Sequence, residues 1–340
     1  MIDKIRIEEA VGTILAHDMT RIVRGRFKGP AFKKGHVVRE EDLPVLRSMG
    51  KRFVHTLSLA GGLLHEDDAA LRIAGAVSGD GLTVTAPSEG KVNLTADSEG
   101  LLKVDTKGLA AVNRMDDIIL ATLKNNFPCH KGQVVAATRI IPLTIPEDRI
   151  IDLEKQAGAT GPIVSVRPFS PMKVGAVVTG SEVYEGLITD DFSPSVGRKI
   201  LDAGCTLAKK IPVPDDARAI SEAIVTLKSS GCQLIITTGG LSVDPDDVTP
   251  QGVAQAGADI RFYGTPVLPG AMLMVSDLDG VPVVSLPACV FYYKRTVFDL
   301  ILPRILAGET ITGNDMAVLG HGGLCMNCPT CHFPACSFGR

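Results

Sequence analysis

Aromatic side chains are scarce in this 340-residue sequence, which has no tryptophan and only 4% Phe and Tyr. No apolar run approaches the roughly 18 residues that a membrane span needs, so no membrane segment is predicted. Basic residues are not in excess either, because the sequence has 35 Lys and Arg and 38 Asp and Glu, for a net charge of −3. This balance offers no electrostatic basis for binding nucleic acid or an anionic membrane.

The first ten residues are charged throughout and lack the pattern of a secretory signal peptide, so we expect a cytoplasmic protein. The length predicts two or three domains. Hydrophobic residues make up 45% of the chain, which is enough for their cores. With 35 Gly and 21 Pro, the chain is expected to be rich in turns.

The first half of the chain shows two kinds of pattern. Residues 1–79 are predicted to form a mixed α+β region, in which Leu43, Leu46 and Met49 share one helical face and Gly50 ends the helix. Residues 80–157 show period-two alternation and recurrent glycine turns, which predict a β-rich module of barrel or sandwich type. Residues 158–172 contain Gly and Pro and are predicted to be a linker.

From residue 173 to residue 312, short apolar strands alternate with helices of 10 to 15 residues. This alternation predicts an α/β domain of three layers, with a doubly wound and mostly parallel sheet. Residues 313–340 form a cysteine-rich tail that is too short for a core of its own.

The most informative stretch runs from Leu234 to Pro250. An apolar strand ends at Thr238-Gly239-Gly240, and Thr249-Pro250 has the pattern of a helix start. Such a turn presents backbone N–H groups to an anion at the carboxyl edge of a parallel sheet. The nearby Ser242, Asp244, Asp246 and Asp247 predict a divalent cation beside it. The alternative interpretation is an ordinary glycine turn whose carboxylates complement a helix dipole.

Several motifs of this domain occur in the order found in a known family. They are Thr179-Gly180-Ser181-Glu182, the acidic loop Gly186–Asp190, Thr238-Gly239-Gly240-Leu-Ser242-Val243, Asp247-Val-Thr-Pro250 and Pro269-Gly270. With them, residues 173 to about 307 resemble the molybdenum-cofactor biosynthesis domain of molybdopterin adenylyltransferases and molybdopterin molybdotransferases. Gly12–Asp18 and Lys34–Gly50 are similar to N-terminal segments of the molybdotransferases.

The resemblance implies that molybdopterin, or its nucleotide form, binds at this sheet edge with Mg²⁺. Asp247 and Asp190 are the expected catalytic carboxylates. The residues expected to contact the cofactor are Thr179, Gly180, Ser181, Glu182, Thr238, Gly239, Gly240, Ser242, Asp244, Pro269, Gly270 and Pro287.

Two departures from the family pattern weigh against catalysis. Leu286-Pro287-Ala288-Cys289 stands where the family has Leu-Pro-Gly-Asn or Leu-Pro-Gly-Gln, so a Cβ is added and an amide donor is lost. The molybdotransferase Ser-Ala-Met-Asp-Gly-Tyr segment has no counterpart between Asp18 and Lys34. Ligand binding is affected less by these changes than catalysis is.

Three functions therefore fit the sequence. The first is an enzyme of cofactor maturation that transfers molybdenum or adenylylates the pterin. The second is a non-catalytic carrier that delivers the cofactor to a molybdoenzyme. The third is a nucleotide-pyrophosphate hydrolase, since the competence-damage family uses a similar domain. The resemblance also makes a homodimer plausible.

The eight cysteines fall into two sets. Cys129, Cys205, Cys232 and Cys289 lie among apolar neighbours and are predicted to be free thiols. Cys325, Cys328, Cys331 and Cys336 crowd the last 16 residues. Such spacing lets thiolates converge on one soft metal, and it favours a [4Fe–4S] cluster over zinc. The alternative is a redox-labile tail that binds no metal.

Overall fold

The computed structural model describes residues 2–23, 27–57, 62–187, 189–242, 244 and 247–339. The chain divides into two units, Met1–Arg167 and Pro168–Arg340. Within the described residues, no helix has the length and apolar character of a membrane span.

The first unit contains four helices and many short strands. The helices are α1 (Leu43–Ser48), α2 (Glu66–Val77), α3 (Thr106–Val112) and α4 (Glu147–Thr160). The strands are β1 (Ile2–Arg6), β2 (Met19–Val23), β3 (Phe27–Phe32), β4 (Phe53–Leu57), β5 (Leu63–His65), β6 (Leu82–Val84), β7 (Lys91–Ala96), β8 (Gly100–Val104), β9 (Ile118–Thr122), β10 (Pro128–Cys129), β11 (Val134–Ile140), β12 (Thr144–Pro146) and β13 (Val164–Pro168).

The main core of this unit lies between two sheets and helix α2. One sheet has the order β6-β7-β11-β9 and the other has the order β10-β8-β13. Helix α2 buries Ala69, Ile73 and Val77, whose spacing of four places them on one face. The alternating Val92, Leu94 and Ala96 of β7 lie in the same core. The predicted β module therefore extends beyond residues 80–157, because α2 supplies part of its core.

The prediction of a linker over residues 158–172 is wrong. Helix α4 continues to Thr160, and β13 follows almost at once. Val164 and Val166 of that strand are buried in the core of the first unit. The glycines and prolines of this stretch flank the strand. The alternation of Val164 and Val166 indicates a strand, but the glycine and proline content favoured a linker.

The second unit contains one sheet, its helices and the tail. The strands are β14 (Lys173–Thr179), β15 (Thr206–Val213), β16 (Leu234–Thr238), β17 (Asp259–Tyr263), β18 (Met274–Leu278) and β19 (Val281–Leu286). The helices are α5 (Ser181–Tyr184), α6 (Arg198–Asp202), α7 (Ala217–Ser229), α8 (Thr249–Gln255), α9 (Cys289–Tyr292), α10 (Val297–Leu306) and α11 (Gly313–Val318). A π-helical turn, Ser193–Gly197, precedes α6.

The strand order β15-β14-β16-β19-β18-β17 confirms the predicted doubly wound sheet. The first four strands are parallel, β18 pairs antiparallel with β19, and β17 pairs antiparallel with β18 at the edge. Apolar side chains are buried on both faces of the sheet, as parallel strands require. On β16, for example, Ile236 lies in the core on one face and Ile235 in the core on the other.

Two details differ from the pattern in the sequence. Strands β17 and β18 were not predicted, since neither shows a clean alternation. The helical end of the domain is divided into two helices, α9 and α10. Thr296 has an extended backbone and caps α10 through a capping box with Asp299. The preceding helical segment therefore cannot continue through Thr296.

The carboxyl edge of the parallel sheet

Four strand ends form the edge at which a ligand of such a sheet binds. Because β15, β14, β16 and β19 are parallel, they all end on the same side. The segments that leave them begin with Pro214-Asp215, Gly180-Ser181, Gly239-Gly240 and Pro287-Ala288. Most of the residues predicted to contact the cofactor therefore lie at one edge.

The Gly239-Gly240 turn fits against its neighbours without room for a side chain. Both residues have positive φ, +92° and +59°. A Cβ on Gly239 would lie 2.4 Å from the hydroxyl oxygen of Thr179 and 2.6 Å from its carbonyl oxygen. A Cβ on Gly240 would lie 2.6 Å from the hydroxyl oxygen of Thr249. Glycine is therefore required at both positions.

Two threonine hydroxyls hold the main chain of this turn. The Thr179 hydroxyl donates to the Thr238 carbonyl at 3.0 Å, and the Thr249 hydroxyl donates to the Gly239 carbonyl at 2.9 Å. The Thr249 amide donates to the Gly240 carbonyl at 3.3 Å. The carbonyls of the turn are thus bound to protein, which is the arrangement that turns N–H groups toward an anion.

The donors left at this turn suit a phosphate. No described residue accepts a hydrogen bond from the backbone amide of Gly240 or Leu241. The hydroxyl of Thr238 is buried and has no partner within the described part of the chain. A buried polar atom without a partner is costly, so this hydroxyl would gain from a hydrogen bond to a ligand at the edge.

Asp247 organises the loop that follows the turn. Its Oδ2 accepts from the Ser242 amide at 2.8 Å and from the Asp244 amide at 3.1 Å. The Ser242 amide, predicted to bind phosphate, is therefore occupied by Asp247. Tyr263 donates its hydroxyl to the Leu241 carbonyl at 3.2 Å, and burial, aided by Asp247, raises the pKa of this tyrosine. Asp246 and Val243, named in the sequence motif, lie outside the described residues.

A second contact joins the ends of β14 and β15. The Asp215 carboxylate accepts from the Ser181 amide at 2.8 Å and from the Ser181 hydroxyl at 3.1 Å. Sequence reasoning missed Asp215, although it follows a strand end as directly as Ser181 does. The neighbouring Glu182 is exposed on α5, and Gly180 has a φ of +137°.

Asp190 is engaged elsewhere than at the turn. It pairs with Lys210 of β15, and its Oδ1 accepts from the Phe192 amide at 2.8 Å. Nowhere in the described ranges do three or more His, Cys, Asp or Glu form a group that could hold a metal ion. The structure therefore does not bring Asp190, Asp244 and Asp247 together as the predicted cation site.

The Pro269-Gly270 loop is packed against the start of α10. The Val297 amide donates to the Pro269 carbonyl at 3.0 Å. A Cβ on Gly270 would lie 2.4 Å from a methyl carbon of Val297, so this glycine is needed for a close approach. Pro287 directly follows β19, and burial raises the pKa of Cys289, two residues further on.

The four tail cysteines line one cavity of about 180 Å³, together with residues that include Lys294, Arg295 and Phe333. None of the four is in a disulfide, and within the described residues they do not form a group that could hold a metal ion. Partial burial acts to raise the pKa of Cys331. The Phe333 backbone and the Arg295 guanidinium outweigh it, and the pKa is lowered. The four cysteines thus border one space, and their binding of a metal remains a prediction.

Comparison with known families divides the chain in the same way. Residues 175–307 match the family model of a probable molybdopterin binding domain. Residues 4–58 match a domain of unknown function. The molybdotransferase resemblance of Gly12–Asp18 and Lys34–Gly50 therefore stays a prediction.

Curated relatives match only in part. A CinA-like protein of Amoebophilus asiaticus is 29% identical over 110 residues, which are 32% of this chain and 25% of that protein. A CinA-like protein of Citrifermentans bemidjiense is 33% identical over 85 residues, 25% of this chain and 20% of that protein. The chain thus spans a quarter or less of the length of these two relatives.

Solved structures show the same local likeness. The protein CinA with unknown function from Thermoplasma acidophilum shares 18% identity at a TM-score of 0.34, over 40% of this chain and 98% of that chain. The molybdopterin biosynthesis enzyme MoaB from Thermus thermophilus shares 16% identity at a TM-score of 0.33, over 41% of this chain and 98% of that chain.

Proposed function

Since residues 175–307 are a domain of the molybdopterin-binding family, we propose that this chain binds molybdopterin or its nucleotide form and acts in molybdenum cofactor biosynthesis. The observation that carries the proposal is the Gly239-Gly240 turn. It is closed to side chains, held through its carbonyls and placed at the carboxyl edge of the parallel sheet.

The phosphate of the cofactor would bind to the backbone of this turn. The amides of Gly240 and Leu241 are the donors, and the buried hydroxyl of Thr238, which lacks a partner among the described residues, lies beside them in sequence. Because the turn is held before any ligand arrives, little ordering is required on binding. Positioning and electrostatic stabilisation are then the means by which these residues act.

Asp247 is our candidate for contact with Mg²⁺. Its Oδ2 holds the loop through two amides. Among the described residues, none donates a hydrogen bond to Oδ1, which leaves that oxygen as the metal ligand. Mg²⁺ retains several waters and takes few protein ligands beside phosphate oxygens, so a single carboxylate suffices for this role. Asp190 would contribute to the site indirectly. Its ion pair with Lys210 would hold the loop before Ser193–Gly197 near β15.

Two roles fit such a site, and one observation bears on the choice. A molybdotransferase-like or adenylyltransferase-like enzyme would transfer a group to the bound pterin. A carrier would deliver the finished cofactor to a molybdoenzyme. The Ala288-Cys289 pair at the end of β19 puts a Cβ at the edge where the resemblance expects glycine, which favours the carrier. Adenylyl transfer and metal transfer do not need the four tail cysteines, whereas a carrier would use them for docking or redox sensing.

The first test is retention of a pterin. Protein purified without oxygen from a host that makes the cofactor is denatured and oxidised, and the released fluorescent pterin is quantified. We expect pterin in the unmodified chain. With Gly240→Ala, we expect at least about a hundredfold less pterin, because the backbone donors of the turn no longer reach the phosphate. The control is Gly280→Ala, which has the same sign of φ, +84°, but no atom within 4 Å of the new Cβ.

The second test separates the roles. Enzyme and carrier both retain pterin, whereas only the enzyme turns over nucleotide or molybdate in its presence. Nucleotide hydrolysis without any bound pterin would instead support the nucleotide-pyrophosphate hydrolase. A folded protein that retains no pterin in any preparation contradicts the proposal as a whole.

A further inference from the structure

The tail is a packed part of the second unit. Phe338 is 4% exposed and lies in the core between the sheet and α10. Phe333 contacts it edge to face at 6.2 Å between ring centroids. The Gly339 amide donates to the Gly322 carbonyl at 2.8 Å, and a Cβ on Gly339 would lie 2.4 Å from Leu300. These contacts anchor both ends of the cysteine segment.

Between these anchors, all four cysteines face a shared space. The cavity of about 180 Å³ is lined by Cys325, Cys328, Cys331 and Cys336. It is somewhat larger than the roughly 150 Å³ of an apolar cavity that admits benzene. The space is therefore sized for a group of several atoms more than for one bare ion.

Cations line the same cavity. The Arg295 guanidinium lies 5.0 Å from the centre of the Phe333 ring and donates to Asp299 at 2.8 Å. Lys294 donates to the Pro329 carbonyl at 3.3 Å. A metal centre bound by four thiolates carries net negative charge, because four anionic sulfurs outweigh the cationic core. Lys294 and Arg295 are placed to offset that charge.

The first cysteine is tied to the ligand edge through the main chain. The Cys325 amide donates to the Leu268 carbonyl at 2.8 Å, and the Leu268 amide donates to the Gly323 carbonyl at 2.8 Å. Leu268 directly precedes the Pro269-Gly270 loop, whose other side is held by Val297. The loop is therefore clamped between two segments, 323–325 and 295–297, that border the cysteine cavity.

From these contacts we propose that Cys325, Cys328, Cys331 and Cys336 bind one iron–sulfur cluster, and that the bound cluster fixes the Leu268–Gly270 segment. On binding, each ligating thiol releases its proton to solvent, and four sulfur–iron bonds form. The tail then acts as a brace for one wall of the ligand edge. This inference concerns the tail and its clamp, and it does not depend on which ligand occupies the edge.

The occupant is tested on the full chain prepared without oxygen. We expect about four iron and four sulfide per chain with visible absorption, and less than about one iron with Cys328→Ser or Cys331→Ser. Thr330→Ala, in the same loop, is the matched control and keeps the full content. One zinc per chain without visible absorption, or no metal after reconstitution with iron and sulfide, overturns the cluster assignment.

The brace is tested by hydrogen exchange at the amides of Leu268 and Cys325. Removing the cluster from the unmodified chain by chelation is expected to speed their exchange at least about tenfold, and reconstitution is expected to reverse it. The Gly132 amide of the first unit, bonded to Ala96, serves as the internal reference and stays unchanged. A loaded cluster whose removal leaves Leu268 and Cys325 unaffected overturns the brace. Because this arm uses no substitution, misfolded variants do not confound it.

Discussion

The Gly239-Gly240 turn and the cysteine tail are both candidate binding elements of the second unit, but they are built in different ways. The turn is held by main-chain carbonyls, two threonine hydroxyls and close contacts that exclude a Cβ. The tail is anchored by side-chain packing and ion pairs, and its four sulfurs border a cavity without forming a metal group in the described structure.

The difference reflects the chemistry of the two ligands. A phosphate is recognised by dipoles that the backbone already fixes, so the protein alone completes the site. Thiolates repel one another until a metal joins them, and metal binding is then coupled to local folding. A site of the first kind is complete in the chain, whereas one of the second kind is completed by its ligand.

The largest effect is expected where the tail is anchored by charge. Arg304 is nearly buried and donates to Glu309 at 2.7 Å and to Asp315 of α11 at 2.8 Å. Arg304→Met removes a buried cation from between two carboxylates and should lower the free energy of unfolding by about 4 kcal/mol. Urea unfolding of the variant and the unmodified chain measures this loss of stability.

As a control, Arg218→Met removes an exposed pair with Glu222 and should change stability by less than about 1 kcal/mol. Equal losses for the two arginines would show that the buried ion pairs do not anchor the tail.

At the turn, the corresponding test adds one carbon. Gly239→Ala places a Cβ against Thr179 and strains a positive φ, so we expect a loss of about 3 kcal/mol in unfolding free energy. In the control Gly280→Ala, the new Cβ has no neighbour within 4 Å. Only the positive φ is then unfavourable, and the expected loss of unfolding free energy is about 1 kcal/mol. If both variants lose the same amount, the close fit of the turn is not what constrains position 239.

A smaller change separates the threonine support from the glycine fit. Thr249→Val keeps the shape but removes the donor to the Gly239 carbonyl, for an expected loss of about 1.5 kcal/mol. Thr249→Ser restores the hydroxyl and should recover most of it. Pterin retention in the same variants shows whether the loss reaches the ligand edge; an unchanged retention with Thr249→Val would separate the support of the turn from binding.

The smallest expected effect is a pH dependence of the tail anchor. Burial acts to raise the pKa of Asp315, but hydrogen bonds from Thr312 and Arg304 outweigh it, and the pKa in the folded protein lies below the ordinary value of an aspartate. The stabilisation by Asp315 is therefore complete above pH of about 4 and is lost as the pH falls through the lowered pKa. Thermal unfolding between pH 5 and acidic pH, compared with Asp315→Asn, measures this contribution, which the variant should lack.

Much of the second unit could be predicted from local pattern. Short apolar runs gave four of its strands, and the glycines after β16 gave the turn, because both depend on neighbours in sequence. Strands β17 and β18 were missed because their alternation is weak, although the Asp279-Gly280 turn joins β18 directly to its partner β19. The linker prediction failed for a different reason, since only the surrounding core shows that Val164 and Val166 are buried.

The sequence by itself determined where the chain must turn and which residue types it offers there: glycines after a strand, carboxylates in the next loop, four thiols near one end. Only the tertiary structure decided which of these meet. It engaged Asp190 with Lys210, gave Ser181 an unpredicted partner in Asp215, and bonded the Cys325 amide to Leu268 beside Pro269-Gly270. Periodicity and turn chemistry act over a few residues, whereas these contacts follow from the order of strands in the sheet, which no local pattern encodes.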